Sequence, residues 1–346
     1  MNASKIIVAG PCAVESREQI VTTAQAISDI YKANFELKFF RAGIWKARTN
    51  PDDFQGIGVE ALAWLQEIKK QFGFSICVEV ASAAHAHLCL EYGIDAVWIG
   101  ARTTVNPFLV QSIADALYNS SITVLVKNPI NPDINLWIGA IKRFQNVGLK
   151  NIIAVHRGFS VENEYVYRNA PCWEIPVELQ MKLNNIPILC DISHIAGNIS
   201  LQQPVAQTAI NYGFDGLMVE VHHAPEQALS DRKQQLLPSQ LAHLLDSLIL
   251  TSTNTLADNA LFIQRNLIRN LDIQISKLLS RRMKIVEEIA SIKRKHGLPL
   301  LQPEQWEKVT EIYKEDAIKD DNYQQFVEAF LVLLHRSSLE RQGFSD

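Results

Sequence analysis

The chain has 346 residues, 47% hydrophobic and 20% charged, with a formal net charge of −4. That length suffices for one large domain and one small one, and the near balance of charge argues against a dedicated nucleic-acid binder. No apolar run approaches the roughly 20 residues that span a bilayer, so no membrane partner is expected. The start, Met1-Asn2-Ala3-Ser4-Lys5, runs straight into a strand pattern and lacks a signal peptide's apolar core. Five cysteines (Cys12, Cys77, Cys89, Cys172, Cys190) include no Cys-x-x-Cys pair. A disulfide framework or structural zinc knuckle is not expected, and a reducing cytoplasm fits.

Short β-rich runs predict strands at Lys5–Ala9, Leu37–Phe40, Ser75–Val80, Ala96–Ile99, Thr123–Val126, Asn151–Val155, Ile188–Cys190 and Gly216–Val219. Amphipathic patterns between and after them predict helices at Ser16–Tyr31, Gly58–Gln71, Pro107–Tyr118, Asp133–Asn146, Val177–Leu183, Pro204–Tyr212 and Lys233–Leu250. Strands and helices alternating over residues 1–250 have the period and size of an α/β (β/α)₈ TIM barrel. An open doubly wound sheet is the alternative, but no Gly-x-Gly-x-x-Gly follows an early strand.

Residues just after the strands of such a barrel face one rim, where active sites sit. Here the rim segments carry Arg41, Lys46, Arg48, Arg102, Lys127 and Arg157. One such cation would read as a surface charge or half of an ion pair. Together they would repel unless anions fill the bowl, and more than one anionic group is implied. Arginine forks match phosphate and carboxylate, while lysine offers a compact charge.

The stretch Val219–Asp231 brings a carboxylate, two histidines and a second carboxylate after the last strand. Alone it reads equally as a solvated loop. With partners it changes: Cys12, His194, Glu220 and Asp231 could supply S, N and O ligands from the first, seventh and eighth strand regions, which are neighbours in a closed barrel. That mixed set suits a divalent metal ion, Mn²⁺, Fe²⁺, Co²⁺ or Zn²⁺, and the donors alone do not choose among them. A cysteine by itself is more often a small buried hydrophobe. His156, His222 and His223 are candidate contacts to the ligands or the substrate; His85, His87 and His243 lie on helical patterns and suit surface or packing roles.

Gly10-Pro11-Cys12, Lys46-Ala47-Arg48-Thr49, Gly100-Ala101-Arg102, His156-Arg157-Gly158, Ser193-His194 and Glu220 followed by Ser230-Asp231 resemble the 3-deoxy-D-arabino-heptulosonate 7-phosphate (DAHP) synthase family, its short type Iβ branch in particular. The resemblance covers roughly residues 5–250. It implies condensation of phosphoenolpyruvate with erythrose 4-phosphate, the first step of the shikimate pathway. On that resemblance Cys12, His194, Glu220 and Asp231 hold the metal, and Arg102, Lys127 and Arg157 the phosphoenolpyruvate phosphate. Arg41 and Lys46 lie near its carboxylate, and Arg48 and Thr49 receive the erythrose 4-phosphate phosphate. Lys46, Lys127 and His194 are the implied catalytic residues. The family usually has Lys-Pro-Arg-Thr where this chain has Ala47, a change that removes no charge. The related 3-deoxy-D-manno-octulosonate 8-phosphate synthases typically read Lys-Ala-Asn-Arg-Ser there, so Arg48-Thr49 favours the four-carbon aldose.

Thr251-Ser252-Thr253-Asn254-Thr255 breaks the alternation, and residues 251–260 read as a linker. From about Leu261 to Lys295 no proline or glycine occurs, which predicts one long helix; Pro303–Lys314 and Tyr323–Arg341 predict two more. Two short partners cannot cover a helix that long, so a homodimer through the helical domain, residues 261–346, is expected. Its apolar stripe runs Ile268, Leu271, Ile275, Leu278, Ile285 or Val286, Ile289, and the same spacing places Arg265, Arg282 and Lys293 on it. Charges there need partners or a ligand.

Arg265, Leu271-Asp272, Leu278-Leu279, Arg281-Arg282-Met283, Ile292-Lys293, Gly297-Leu298-Pro299, Ser338 and Gln342 resemble an all-helical chorismate mutase. The resemblance implies rearrangement of chorismate to prephenate without a cofactor. Arg265 from a partner chain and Arg282 would bind the two carboxylates. Lys293 and Gln342 would stabilise the breaking ether oxygen, and Ser338 would fix the ligand. Where the family commonly has Asp-x-x-Arg-Glu, this chain has Gln302-Pro303-Glu304-Gln305-Trp306, with Glu307 one place on. The leading expectation is a bifunctional enzyme whose helices also mediate feedback by prephenate or chorismate. The alternatives are a synthase with a non-catalytic dimerising sensor and, further off, a metal-dependent hydrolase.

Overall fold

A computed structural model describes residues 4–30, 32–48, 50–162, 166–250, 256–299, 304, 306, 308, 311 and 321–343. The chain divides into two compact units, residues 1–264 and 265–346.

In the first unit eight strands, β1 (Lys5–Gly10), β2 (Phe35–Ala42), β3 (Ile76–Val80), β4 (Ala96–Ile99), β5 (Thr123–Lys127), β6 (Ile152–His156), β7 (Ile188–Asp191) and β8 (Gly216–Glu220), pair in chain order as a closed barrel. All pairs are parallel, and β8 closes on β1. A major helix follows each strand, from Arg17–Ser28 to Pro238–Ser247. Caps set their starts: Ser16, Ser82, Asn106 and Asp133 each accept a backbone N–H three residues on. Ala83–Glu91, absent from the predicted helices, is one of these, and the single-turn helices Ala101–Thr104 and Ile192–Ala196 were not expected either. Their runs are too short to show a period.

Val8, Phe39, Cys77, Ala96, Trp98, Leu125, Ile153, Val155, Leu189 and Met218 form one buried cluster inside the barrel. Side chains alternate along a strand, so the residue two places beyond each faces the same interior. Phe39 is thus followed by Arg41, Cys77 by Glu79, Leu125 by Lys127, Leu189 by Asp191 and Met218 by Glu220. Six of the eight strands run one or two residues past their predicted apolar ends, and β3 and β4 end where predicted. Those charges belong to the sheet, not to loops beyond it.

The same alternation corrects one expectation. Val155 points inward, so His156 points out, between barrel and helices. Its ring lies 5.2 to 6.5 Å from Trp173, Phe159, Phe214 and Trp137. Burial, aided by the Arg157 charge, lowers its pKa to about 3. It is a neutral packing residue and does not reach the bowl.

In the second unit Leu256–Lys295 is one helix, starting upstream of the predicted Leu261, and Asp321–Gln342 is another. Glu304, Trp306, Lys308 and Glu311 are helical as well. Val286, Ala290, Leu331 and Leu334 are its buried apolar residues among those described, whereas Ile268, Leu271, Ile275, Leu278, Ile285 and Ile289 are exposed. Among the described residues no helix is long and apolar enough to cross a membrane.

Candidate active site

The charged layer above the apolar cluster is paired. Arg41 Nη2 donates to Glu220 Oε1 at 3.1 Å, both side chains fully buried. Its guanidinium carbon lies 4.9 Å from the Trp98 ring centre, with the Lys127 ammonium 5.6 Å from the same ring. Lys127 Nζ is 2.7 Å from Asp191 Oδ2, and Lys46 Nζ is 3.5 Å from Glu79 Oε2. The carboxylates relieve the repulsion that a bowl of bare cations would suffer. They do not satisfy it fully: Arg41 Nε and Nη1 are buried without a hydrogen-bond partner among the described residues. Unpaired buried donors are costly and mark a place for an acceptor.

Burial pulls the Lys127 pKa down, and Asp191 restores only part of it. Burial pulls Lys46 down too, but Cys12, Glu79 and Glu220 more than offset this, and Lys46 stays charged. Arg157 is brought down to about 10, chiefly by burial. Gly100 leaves space for this layer, because a Cβ there would lie 2.3 Å from Glu79 Oε1.

A second cluster adjoins Arg41. Cys12 Sγ and carboxylate oxygens of Glu220 and Asp231 lie within 4.8 Å of one another. Cys12 Sγ is 3.3 Å from Asp231 Oδ2. His194 stands just outside that tight group, its Nε2 3.8 Å from Glu220 Oε1 and its Nδ1 2.9 Å from Asp191 Oδ2. Burial, reinforced by Glu220, pushes the Cys12 thiol up to about 12. Burial acts upward on Asp231 as well, yet Arg168 and His194 hold it well below the usual carboxylate range. Asp231 also adopts a left-handed backbone, φ 49°, which a non-glycine residue holds only where its surroundings impose it. Thiol, two carboxylates and an imidazole with one nitrogen already oriented make a donor set suited to a divalent transition metal, which would draw the thiol proton off.

The other predicted residues ring this core. Arg48 Nη1 is 3.9 Å from Asp231 Oδ2, and its Nε donates to Phe54 O at 3.0 Å. Arg157 Nη1 donates to Asn169 Oδ1 at 2.7 Å, while Asn128 Oδ1 accepts its backbone N–H. Arg102 is exposed in the turn of helix after β4. Thr49, Gln305 and Glu307 lie outside the described residues. His222 and His223 stack on each other; His222 accepts from Ala224 N, and His223 meets Thr23 Oγ1 at 3.1 Å. His223 thereby meets the first helix, while His222 Nε2 lies 3.9 Å from Glu15 Oε2.

Four participants escaped the sequence reading. Glu79 and Asp191 were legible as charges two residues beyond an inward apolar position. Arg168 sits in an irregular segment with no periodic signal, and Gln234, inside the predicted Lys233–Leu250 pattern, lies in the 3-10 turn Arg232–Gln234; only the fold brings them to the ligands.

In the helical unit Arg282 Nη1 donates to Ser338 Oγ at 2.6 Å, and Ser338 is buried. Gln342, one turn on, is buried with Oε1 unpaired among the described residues. Lys293 is half-buried and Arg265 exposed. Trp306 stacks on His335 at 4.0 Å, and the Arg282 charge adds to burial in lowering the His335 pKa. The tryptophan is thereby tied to the same helix, Asp321–Gln342, that carries Ser338.

The comparisons agree with this division. Residues 2–256 match the model of the DAHP synthetase I family, and residues 264–343 match chorismate mutase type II. A Thermotoga maritima protein named phospho-2-dehydro-3-deoxyheptonate aldolase is 34% identical over 230 residues, covering 66% of this chain and 64% of its own length. A Cyanothece protein named 2-dehydro-3-deoxyphosphooctonate aldolase is 28% identical over 264 residues, covering 71% of this chain and 92% of its own. The solved structure of a Thermotoga maritima DAHP synthase superposes with a TM-score of 0.63 at 33% identity, covering 71% of this chain and 68% of that one. A truncated form of the Thermotoga enzyme gives 0.60 at 30% identity, covering 71% and 85%. This chain belongs to the DAHP synthetase I family and carries a chorismate mutase type II region at its C-terminal end.

Proposed function

We propose that the barrel condenses phosphoenolpyruvate with erythrose 4-phosphate to DAHP, and that the helical unit rearranges chorismate to prephenate. The observation that supports the barrel reading best is the meeting of two features. Buried Arg41 with open donors lies beside the convergent Cys12, Glu220 and Asp231 ligands.

In this reading Arg41 and Lys46 take the phosphoenolpyruvate carboxylate. Lys127, Arg157 and Arg102 take its phosphate, and Arg48 with Thr49 takes the phosphate of the aldose. Cys12, His194, Glu220 and Asp231 would hold a divalent metal, Mn²⁺ first, which when bound supplies Lewis acidity toward the aldehyde oxygen. The enol carbon of phosphoenolpyruvate forms a bond to the aldehyde carbon, whose oxygen gains the electron pair and a proton. Water adds to the cationic centre left behind, and inorganic phosphate departs as the ketone forms. Lys46, held charged, stands to stabilise negative charge as it grows. The paired side chains fix both anions in a bowl whose dipoles are already oriented.

In the helical unit Arg282 would clamp one chorismate carboxylate with Ser338. Gln342 and Lys293 would meet the ether oxygen, and Arg265 would come from a partner chain. The exposed stripe from Ile268 to Ile289 supports a homodimer, and a shared interface gives feedback by prephenate or chorismate a physical route. A cytoplasmic setting fits the reduced cysteines. A second reading, a dimerising sensor without turnover, is favoured by Trp306, stacked on His335, where the family commonly has glutamate.

The deciding experiment follows both reactions on full-length protein. Phosphoenolpyruvate should disappear only with erythrose 4-phosphate present. Loss with arabinose 5-phosphate instead would support the rival suggested by the Cyanothece relative, and loss with neither would refute both. Steady conversion of chorismate establishes the mutase; binding without conversion establishes the sensor.

A further inference from the structure

Arg168 belongs to the long connection between β6 and the helix Glu174–Lys182 and has no part in the roles described so far. Its guanidinium reaches Asp231 Oδ1 at 3.1 Å, while the other oxygen, Oδ2, faces Cys12 Sγ. The same Nη1 donates to Gln234 Oε1, and Gln234 Nε2 donates to Glu220 Oε2 at 2.6 Å. Glu220 Oε1 is left toward Arg41 and His194. Two carboxylates therefore have their outer oxygens tied to one polar bridge and their inner oxygens turned to a common point. We propose that the Arg168–Gln234 bridge is a positioning device that presents Asp231 and Glu220, one oxygen each, to the metal. The proposal rests on the metal reading given above.

The backbone is built to hold this bridge. Arg168 N and Asn169 N both donate to Ile195 O, which ties the connection to the turn of helix that carries His194. Gly197 has φ +70°, and a Cβ there would lie 2.4 Å from Arg168 Cβ, so the stem of the arginine crosses where only glycine fits. Asn169, the next residue, donates to His194 O and accepts from Arg157. Consecutive side chains thus brace the ligand cluster on one side and the phosphate arginine on the other. A carboxylate left without its outer partner can swing or bind through both oxygens, and such partners typically matter by ~10–100-fold in metal affinity.

The test titrates Mn²⁺ into metal-depleted full-length protein by electron paramagnetic resonance, for wild type, Arg168→Met, Arg168→Lys and Gln234→Met. Circular dichroism confirms each fold. Co²⁺ absorption then reports the thiolate contact and coordination geometry. Weakening of Mn²⁺ binding by about tenfold in both methionine variants, with a changed Co²⁺ spectrum and a double variant less than additive, is expected. Both contacts come from one guanidinium nitrogen, but the lysine stem is shorter and sets its charge differently, so Arg168→Lys should rescue only in part. Folded variants that bind Mn²⁺ as wild type does overturn the proposal. So does tighter binding in Arg168→Met, because Arg168 would then be a competitor for Asp231. No binding by wild type would instead refute the metal reading, and this inference with it.

Discussion

Inside the barrel Phe39, Trp98, Leu125 and Met218 are 5% exposed or less, whereas Ile268, Leu271, Ile275 and Leu278 on the long helix are between 50% and 64% exposed. Both patterns come from regular apolar spacing. The difference lies in closure. A sheet that returns to its first strand covers its own inner face, and helices laid outside cover the other. The helices of the second unit have no such return, and among the described residues the stripe stays exposed. The barrel therefore gathers its candidate site within one closed unit, while in the proposed homodimer a second copy would bury the stripe, at about 1.5–3 kcal/mol per large side chain fully covered.

The strongest way to break this comparison is to put charge on the stripe. Ile275→Asp with Leu278→Glu should yield monomers in sedimentation and no measurable chorismate conversion, with phosphoenolpyruvate consumption kept. A double variant that stays dimeric would show that another surface joins the subunits. Within the helical unit, Arg282→Ala should cut chorismate turnover by about 100–1,000-fold, the usual loss for a preorganised charged donor. The barrel reaction should not change. A loss below tenfold would favour the sensor reading and move attention to Trp306.

How far the sequence reached differs between the same two regions. Strand periodicity and the rim charges placed the barrel, and Cys12, Glu220 and Asp231 do converge. Alternation along a strand, applied strictly, also separates Arg41 and Asp191, which face in, from His156, which faces out. What the sequence could not carry was the link from Arg168 to Asp231. Nothing periodic marks a residue in an irregular connection, and its contact spans 63 positions of chain that only barrel closure brings together. In the helical unit the spacing placed Arg282 with a stripe that stays exposed, whereas Arg282 itself is half-buried, one and two turns from buried Val286 and Ala290; its partner Ser338 came from the family resemblance and not from periodicity.

His156 sharpens the comparison through pH, with a smaller effect. Its folded pKa, about 3, is far below the ordinary histidine value near 6.5. Above pH 6.5 it is neutral in both states and costs nothing. Between 6.5 and 3 the unfolded chain takes the proton and the folded chain does not, so stability falls as pH falls. From pH 6.5 to 5 the loss is about 2 kcal/mol, from roughly 1.4 kcal/mol per pH unit. Asp191 and Glu220, held below the usual carboxylate range, add their own loss only at lower pH, below about 4. His156→Phe should flatten the barrel's urea midpoint between pH 7 and 5. An unchanged slope would mean that the ring is protonated in the fold.

Metal removal gives the most local contrast. A ligand that binds only the folded state at about 100 times its Kd stabilises by ~2.7 kcal/mol, which for a barrel of this size is about 5–10 °C in Tm. Chelation should therefore lower the barrel's melting transition and leave that of the helical unit in place. Glu220 makes the sign informative. Without a cation it still pairs with Arg41 and Gln234, so the depleted barrel should remain folded and merely melt earlier. Cys12→Ala removes a ligand but keeps that ion pair, and it should abolish most of the metal's effect on melting while leaving the depleted protein's Tm within about 2–4 °C of wild type, the shift expected for ~1 kcal/mol in a unit of this size. If both transitions move together on chelation, the two units do not melt independently, and the contrast between a self-sufficient barrel and an incomplete helical half fails with them.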